Sequence, residues 1–248
     1  MRLEAEPAFV LHARPYRETS VIVELFTREH GRMGAIARGV RSARPRFPRG
    51  ALAPFQCLSL RLQGQGELPL LTDVDVQGQP PLLRGEALTA GLYTNELLMR
   101  LTERHDPHPA VFVRYAELLS EFSAGPDRPA LAWALRRFER DLLAVMGYGL
   151  ELTIEPDSGQ PLDPVAAYLY DPEHGPRRMP SGMARAGCSG AALLALCADR
   201  IPAAAELADL RRVMRSVIKH QLGGRDLDAW RVLSGPAGSG LRSIEAER

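Results

Sequence analysis

The sequence predicts an α+β chain in which a five-stranded all-β unit precedes a helical one. Three observations carry this. Short apolar runs separated by Gly-bearing turns fill roughly the first 80 residues, three-to-four apolar spacing takes over after Glu86, and a Pro-rich joint, GQPPLL, lies between them. A five-stranded unit of this length is the size of an OB-fold barrel, a shape often used for single-stranded nucleic acid.

The strand candidates are AFVLHAR, SVIVELFT, GRMGAIA, FQCLSLRL and LPLLTDVDVQ. Glu29-His30-Gly31 joins the second to the third and Gln63-Gly64-Gln65-Gly66 joins the fourth to the fifth, and such short Gly-bearing connections favour antiparallel hairpins. The helical signal begins with Leu88, Leu92, Leu97, Leu98 and Leu101 between Glu86 and Arg104. A second helix runs from Val111 to Phe122 and ends before Gly125-Pro126. A third carries Leu131, Leu135, Phe138, Leu142 and Val145 as a buried stripe and is stopped by Gly147.

From Leu150 to Gly187 the chain is rich in Pro and Gly around AAYLY and reads as an irregular insertion. Helices resume from Ala191 to Ala198, with Ser189 as a cap, and from Ala203 to about Leu222, closed by Gly223-Gly224. The expected organisation is a barrel over 1–80, a helical domain over 81–233 with the insertion near 150–187, and a disordered tail over 234–248.

Net charge is +1, from 31 basic and 30 acidic residues, so phosphate binding would have to rest on local clusters. Lys219 is the single lysine, and an arginine bias this strong reflects codon usage as much as function. MRLEAEPAFV lacks the apolar run of a signal peptide and no stretch approaches the ~20 apolar residues of a membrane span, so a cytoplasmic, nucleoid-associated protein without a membrane partner is expected. Cys57, Cys188 and Cys197 are too few and too scattered for a disulfide framework or a four-cysteine zinc site.

The stretch with the clearest chemistry is RGVRSARPRFPR, residues 38–49. Arg38, Arg41, Arg44, Arg46 and Arg49 crowd it without a carboxylate, and over 28–49 seven arginines face one acid, Glu29. Pro45 and Pro48 hold the loop extended. Guanidinium groups match phosphate oxygens in a bidentate fork, and like charges this dense repel unless neutralised, which points to nucleic acid. The ordinary alternative is a solvated loop in an arginine-heavy sequence. Phe47 has two readings of similar weight: a platform on which a base stacks, or a plug folded back onto the barrel.

A second basic set comprises Arg136, Arg137 and Arg140 beside the third helix's stripe, and Arg211, Arg215 and Lys219 at i, i+4, i+8 near the end of the chain. Enzyme constellations are scarce. Asp73 and Asp75 share one strand face without a further carboxylate, so a metal-dependent nuclease is an alternative and a solvated face the simpler reading. His105-Asp106-Pro107-His108 reads as an interhelical turn, and there is no P-loop, dinucleotide fingerprint or nucleophile elbow. No catalytic residue, metal or cofactor is expected.

Several strings resemble the RecO family of bacterial recombinational-repair proteins. They are AFVLHARPYRETS at Ala8–Ser20, FTREHGR at Phe26–Arg32, ARGVRS at Ala37–Ser42, GALAPF at Gly50–Phe55, GLYTNELL at Gly91–Leu98, LRRFERDLLAVMGYG at Leu135–Gly149 and LGG at Leu222–Gly224. The resemblance covers most of the chain in order. It implies an N-terminal OB-fold and a helical domain, binding to single- and double-stranded DNA, strand annealing, and action with RecR, with or without RecF, in placing RecA on DNA coated by single-strand-binding protein. It also implies that the helical domain receives the acidic, Phe-ended tail of single-strand-binding protein, with Arg136 as first carboxylate partner and Arg211 and Arg215 as further ones. The chain departs from many members in keeping only Cys188 where they carry a four-cysteine zinc module, so the insertion is expected to be zinc-free and held by its own packing.

Overall fold

A computed structural model describes residues 2–64, 66–180 and 187–230. They form two compact units, one from the residues up to Ser123 together with those from Leu227 onward, the other from Ala124 to Asp226. The expected disordered tail, 234–248, lies outside the described residues.

The first unit is built on a closed barrel of β1 (Arg2–Tyr16), β2 (Ser20–Thr27), β3 (Gly31–Ala37), β4 (Cys57–Gln63) and β5 (Leu70–Val76). The order is β1-β2-β3-β5-β4, with β4 pairing back onto β1. Every neighbouring pair is antiparallel except β3 and β5, which meet in parallel at Ile36–Leu70 and Ala37–Leu71. This is the expected five-stranded OB-fold. Closing the sheet abolishes exposed strand edges and leaves the long β3–β4 connection free to carry chemistry.

Alternation along β1 sends Ala8 and Val10 into the barrel core with Val23, Leu25, Leu58 and Leu60. The opposite face of β1 meets α1 (Gly85–Leu101) and α2 (Pro109–Ser123), and the Phe9 ring centroid lies 5.0 Å from those of Phe112 and Tyr115 of α2. Phe26 of β2 meets Phe112 at 5.8 Å. Helices on one side and core on the other explain why SVIVELFT reads as a nearly continuous apolar run. Inside this packing Asn95 donates from Nδ2 to the Leu11 carbonyl at 2.8 Å and accepts from the Tyr115 hydroxyl at 2.5 Å, so no partner in this buried trio is left unpaired. Gly31 allows the 102–108 segment to approach. Its φ is +68°, and a Cβ there would stand 2.1 Å from the Asp106 carbonyl oxygen.

The second unit contains α3 (Arg128–Val145), β6 (Ala167–Asp171), β7 (Gly175–Arg178), β8 (Cys188–Ser189), α4 (Gly190–Cys197) and α5 (Ala204–Gln221). Asp127 caps α3 by accepting from Ala130 N at 2.9 Å, and Ser189 caps α4 by accepting from Ala192 N at 3.1 Å. The Pro- and Gly-rich insertion is more regular than its composition suggests, because AAYLY alternates: Tyr168 and Tyr170 are buried, Leu169 is exposed, and the strand they form centres the sheet β7-β6-β8.

A polar network ties this insertion together. The Tyr168 hydroxyl donates to Glu155 at 2.7 Å and accepts from Asp163 N at 2.9 Å; Ser158 donates to Glu155 at 3.0 Å, and Arg178 reaches Asp163 at 2.6 Å. These bonds hold the Glu155 carboxyl below the usual glutamate range, the Tyr168 hydroxyl contributing most. Cys188 is buried, and desolvation pushes its thiol up to about 12.

Candidate nucleic-acid interface

The β3–β4 connection, residues 38–56, is long but anchored. Gly39, at φ +71°, turns the chain out of β3 and its carbonyl accepts from Arg46 N at 3.2 Å and from the Ser42 hydroxyl at 2.9 Å. Ser42 Oγ also meets the Arg44 carbonyl at 2.7 Å. Arg41 N donates to the Thr19 carbonyl at 3.0 Å, which fastens the loop to the β1–β2 turn, and Phe55 N donates to the Val10 carbonyl at 2.8 Å where the loop rejoins the barrel. Phe47 and Leu52 insert into the barrel core.

That insertion decides between the two readings of Phe47. At 6% exposure it is a plug and not a platform on which a base stacks from solvent. The physical reason is local: the alternating loop residues send Arg46 and Pro48 outward and turn the ring between them to the open end of the barrel core.

Arg38, Arg41, Arg44, Arg46 and Arg49 are all exposed. Arg46 Nη2 donates to the Thr72 carbonyl of β5 at 2.8 Å, and its guanidinium carbon stands 5.9 Å from the Phe47 ring centroid. None of the five meets a carboxylate among the described residues. The contrast within the same unit is informative: Arg32 and Arg104 pair with Glu24, Arg61 with Asp73, Arg100 with Glu96, and Arg114 with Glu117. Codon bias would scatter arginines among acids equally. Here five unpaired ones gather on the 38–49 loop, inside a stretch, His30 to Gly66, that contains no carboxylate at all.

Two further exposed arginines lie near the loop and were not singled out from the sequence. Arg14 and Arg17 are exposed near the end of the β1–β2 hairpin, whose turn the loop grips through Thr19, and neither has a carboxylate partner among the described residues. The string RPYRET carries the two charges, but only the bond from Arg41 N to the Thr19 carbonyl shows that their hairpin end lies beside the loop. Glu18 is the one acid in that turn.

The alternative pair, Asp73 and Asp75, is exposed on β5. Asp73 lies 3.5 Å from Arg61 and Asp75 accepts from Gln77 at 2.9 Å. Among the described residues no group of three or more His, Cys, Asp or Glu stands together as a metal site would need.

On the second unit the expected partner-tail residues separate. Arg136 is 6% exposed and pairs at 2.6 Å with Glu139, itself 1% exposed, one turn along α3. Arg136 is thus already paired with a buried carboxylate and offers little surface to an external one, although its Nε has no hydrogen-bond partner among the described residues. The apolar stripe had identified the buried face of α3 as narrower than it is: Arg136 and Glu139 sit on its flank and are buried as a pair. Arg211 and Arg215 are exposed on α5, which packs against α3, and Lys219 lies 2.9 Å from Asp226.

No helix among the described residues is long and apolar enough to cross a membrane. Comparison with known proteins agrees with the architecture in both halves. The family model described as Recombination protein O N terminal matches residues 1–79, and that described as Recombination protein O C terminal matches residues 82–231. The chain is 46% identical over 236 residues to the DNA repair protein RecO of Stenotrophomonas maltophilia strain K279a, covering 94% of this chain and 97% of that one. It is 46% identical over 237 residues to the protein of the same name from Xanthomonas campestris pv. campestris strain B100, and 45% identical over 237 residues to that from Xanthomonas oryzae pv. oryzae strain PXO99A, with the same coverage in each case. The chain belongs to the RecO family.

Proposed function

We propose that this chain is a non-enzymatic DNA-binding recombination mediator that acts in DNA repair, annealing complementary single strands. With RecR, and RecF, it helps to load RecA on DNA coated by single-strand-binding protein. The observation that carries the DNA-binding reading is the gathering of unpaired, exposed arginines on the anchored 38–49 loop and the neighbouring hairpin end. Annealing needs no covalent step. Two phosphate backbones repel, and a fixed cationic surface relieves that repulsion while leaving bases free to pair. The barrel, residues 1–80, supplies this surface. The helical region, 81–233, serves protein partners, with Arg211 and Arg215 of α5 as receivers of the acidic tail of single-strand-binding protein. The protein works in the cytoplasm at the nucleoid.

A strand-annealing assay with and without single-strand-binding protein tests this directly. Acceleration of annealing of naked strands, retained on coated strands, is the expected result. Metal-dependent cleavage of labelled DNA would instead favour the nuclease built on Asp73 and Asp75, and neither annealing nor cleavage would leave a protein-binding scaffold.

A further inference from the structure

An apolar pocket of about 340 Å³ opens within the arginine surface. Val21, Val40, Pro45, Phe47 and Leu52 line it, and the exposed Arg49 stands on its border. Its volume lies at the lower end of the range for small-molecule sites, about 300–1,000 Å³, enough for one planar heterocycle. Phe47, the inward plug described above, is among the lining residues, so the pocket ends on the barrel core.

Position identifies the occupant. The 38–49 loop supplies Val40, Pro45, Phe47, Pro48 and Arg49 to the lining, and its arginines have no carboxylate partner among the described residues, so an occupant that brings negative charge alongside an apolar group fits best. A nucleotide of a single strand does so at every step, since its phosphates take guanidinium groups and its base has an apolar face. We infer that this pocket receives one unstacked base of a bound single strand, while the surrounding arginines hold the phosphates on either side of it; this rests on the reading of the loop as the DNA surface. Arg49 is the only charged side chain on the lining, and the walls are otherwise aliphatic or aromatic, so the pocket accepts bases with little sequence preference. Holding one base out of the stack is also compatible with annealing, because neighbouring bases remain splayed and available to a complementary strand.

The test uses the full chain and oligonucleotides of one length that are intact, or carry a run of abasic sites, so that phosphate charge is the same. Affinity is measured by fluorescence anisotropy across a salt series. Intact strands should bind at least about fivefold more tightly at every salt concentration, with parallel slopes. Ala53→Phe, which fills the pocket from an exposed position on its lining, should remove that difference without changing the slope. A 2-aminopurine-substituted strand gives a second readout: its emission should change on binding to the native chain and much less with Ala53→Phe. Equal affinity for intact and abasic strands, with a steep salt slope retained, would overturn the pocket and spare the arginine surface. A shallow slope for both would overturn the arginine surface itself.

Discussion

Arg46 Nη2 donates to the main-chain carbonyl of Thr72 at 2.8 Å, joining the cationic loop to strand β5. One of the five loop arginines is thus both a charge and a strut, whereas Arg44 is exposed with no side-chain bond of its own among the described residues. The two should behave differently when truncated. Arg44→Ala should reduce the salt slope of single-strand binding by about 0.7, the value of one released counterion, and leave stability within about 0.5 kcal/mol. Arg46→Ala should lose the same slope and also raise amide exchange in the loop, read by hydrogen–deuterium exchange. Identical exchange in the two variants would show that the Thr72 contact does not order the loop.

Arg136→Ala should act on folding and not on partner recognition. Removing the guanidinium strips the buried Glu139 carboxylate of a charge-assisted bond at 2.6 Å, a change that costs about 3–5 kcal/mol for buried pairs. Urea unfolding should show a large drop for Arg136→Ala and almost none for Arg211→Ala. Binding of an acidic, Phe-ended peptide should show the reverse, weakened by Arg211→Ala in protein that remains fully folded.

Acid should loosen the insertion. Glu155 is held below its ordinary value of 4.5 by the Tyr168 and Ser158 hydroxyls, Glu151 by Thr153, and Asp171 by the amide of Glu173. Each has a depressed folded-state pKa, so its stabilisation is present above the unfolded value and is lost as pH falls through the folded one. The loss should therefore begin near pH 4.5 and deepen below it, visible as rising amide exchange in β6 and β7. Glu155→Gln should weaken the insertion at neutral pH and flatten its response to acid.

Much of the fold was legible because its causes are local. Period-two runs and Gly-bearing turns marked the five strands, and apolar spacing marked the five helices to within a few residues. The small sheet of the insertion was not, because strands of five, four and two residues carry too little pattern and its stability comes from long-range bonds such as Tyr168 to Glu155. For the candidate site, the arginine loop stood out as composition, while its meaning depended on what the arginines do not touch. Pairing is a property of three dimensions: Arg136 and Arg211 look alike in sequence, yet one is buried against Glu139 and the other is exposed. Phe47 shows the same limit, since a lone aromatic among arginines and prolines gives no sign of which way its ring turns.

The most direct measurement is single-strand affinity against salt for a variant with Arg41, Arg44, Arg46 and Arg49 all changed to Glu, beside the native chain, with circular dichroism to establish that both are folded. The native chain should lose affinity steeply as salt rises, with a slope of about −3.5 if five phosphates are neutralised. The folded variant should neither bind nor anneal. A folded variant with native affinity, native slope and native annealing would contradict the assignment of the 38–49 loop as the DNA surface.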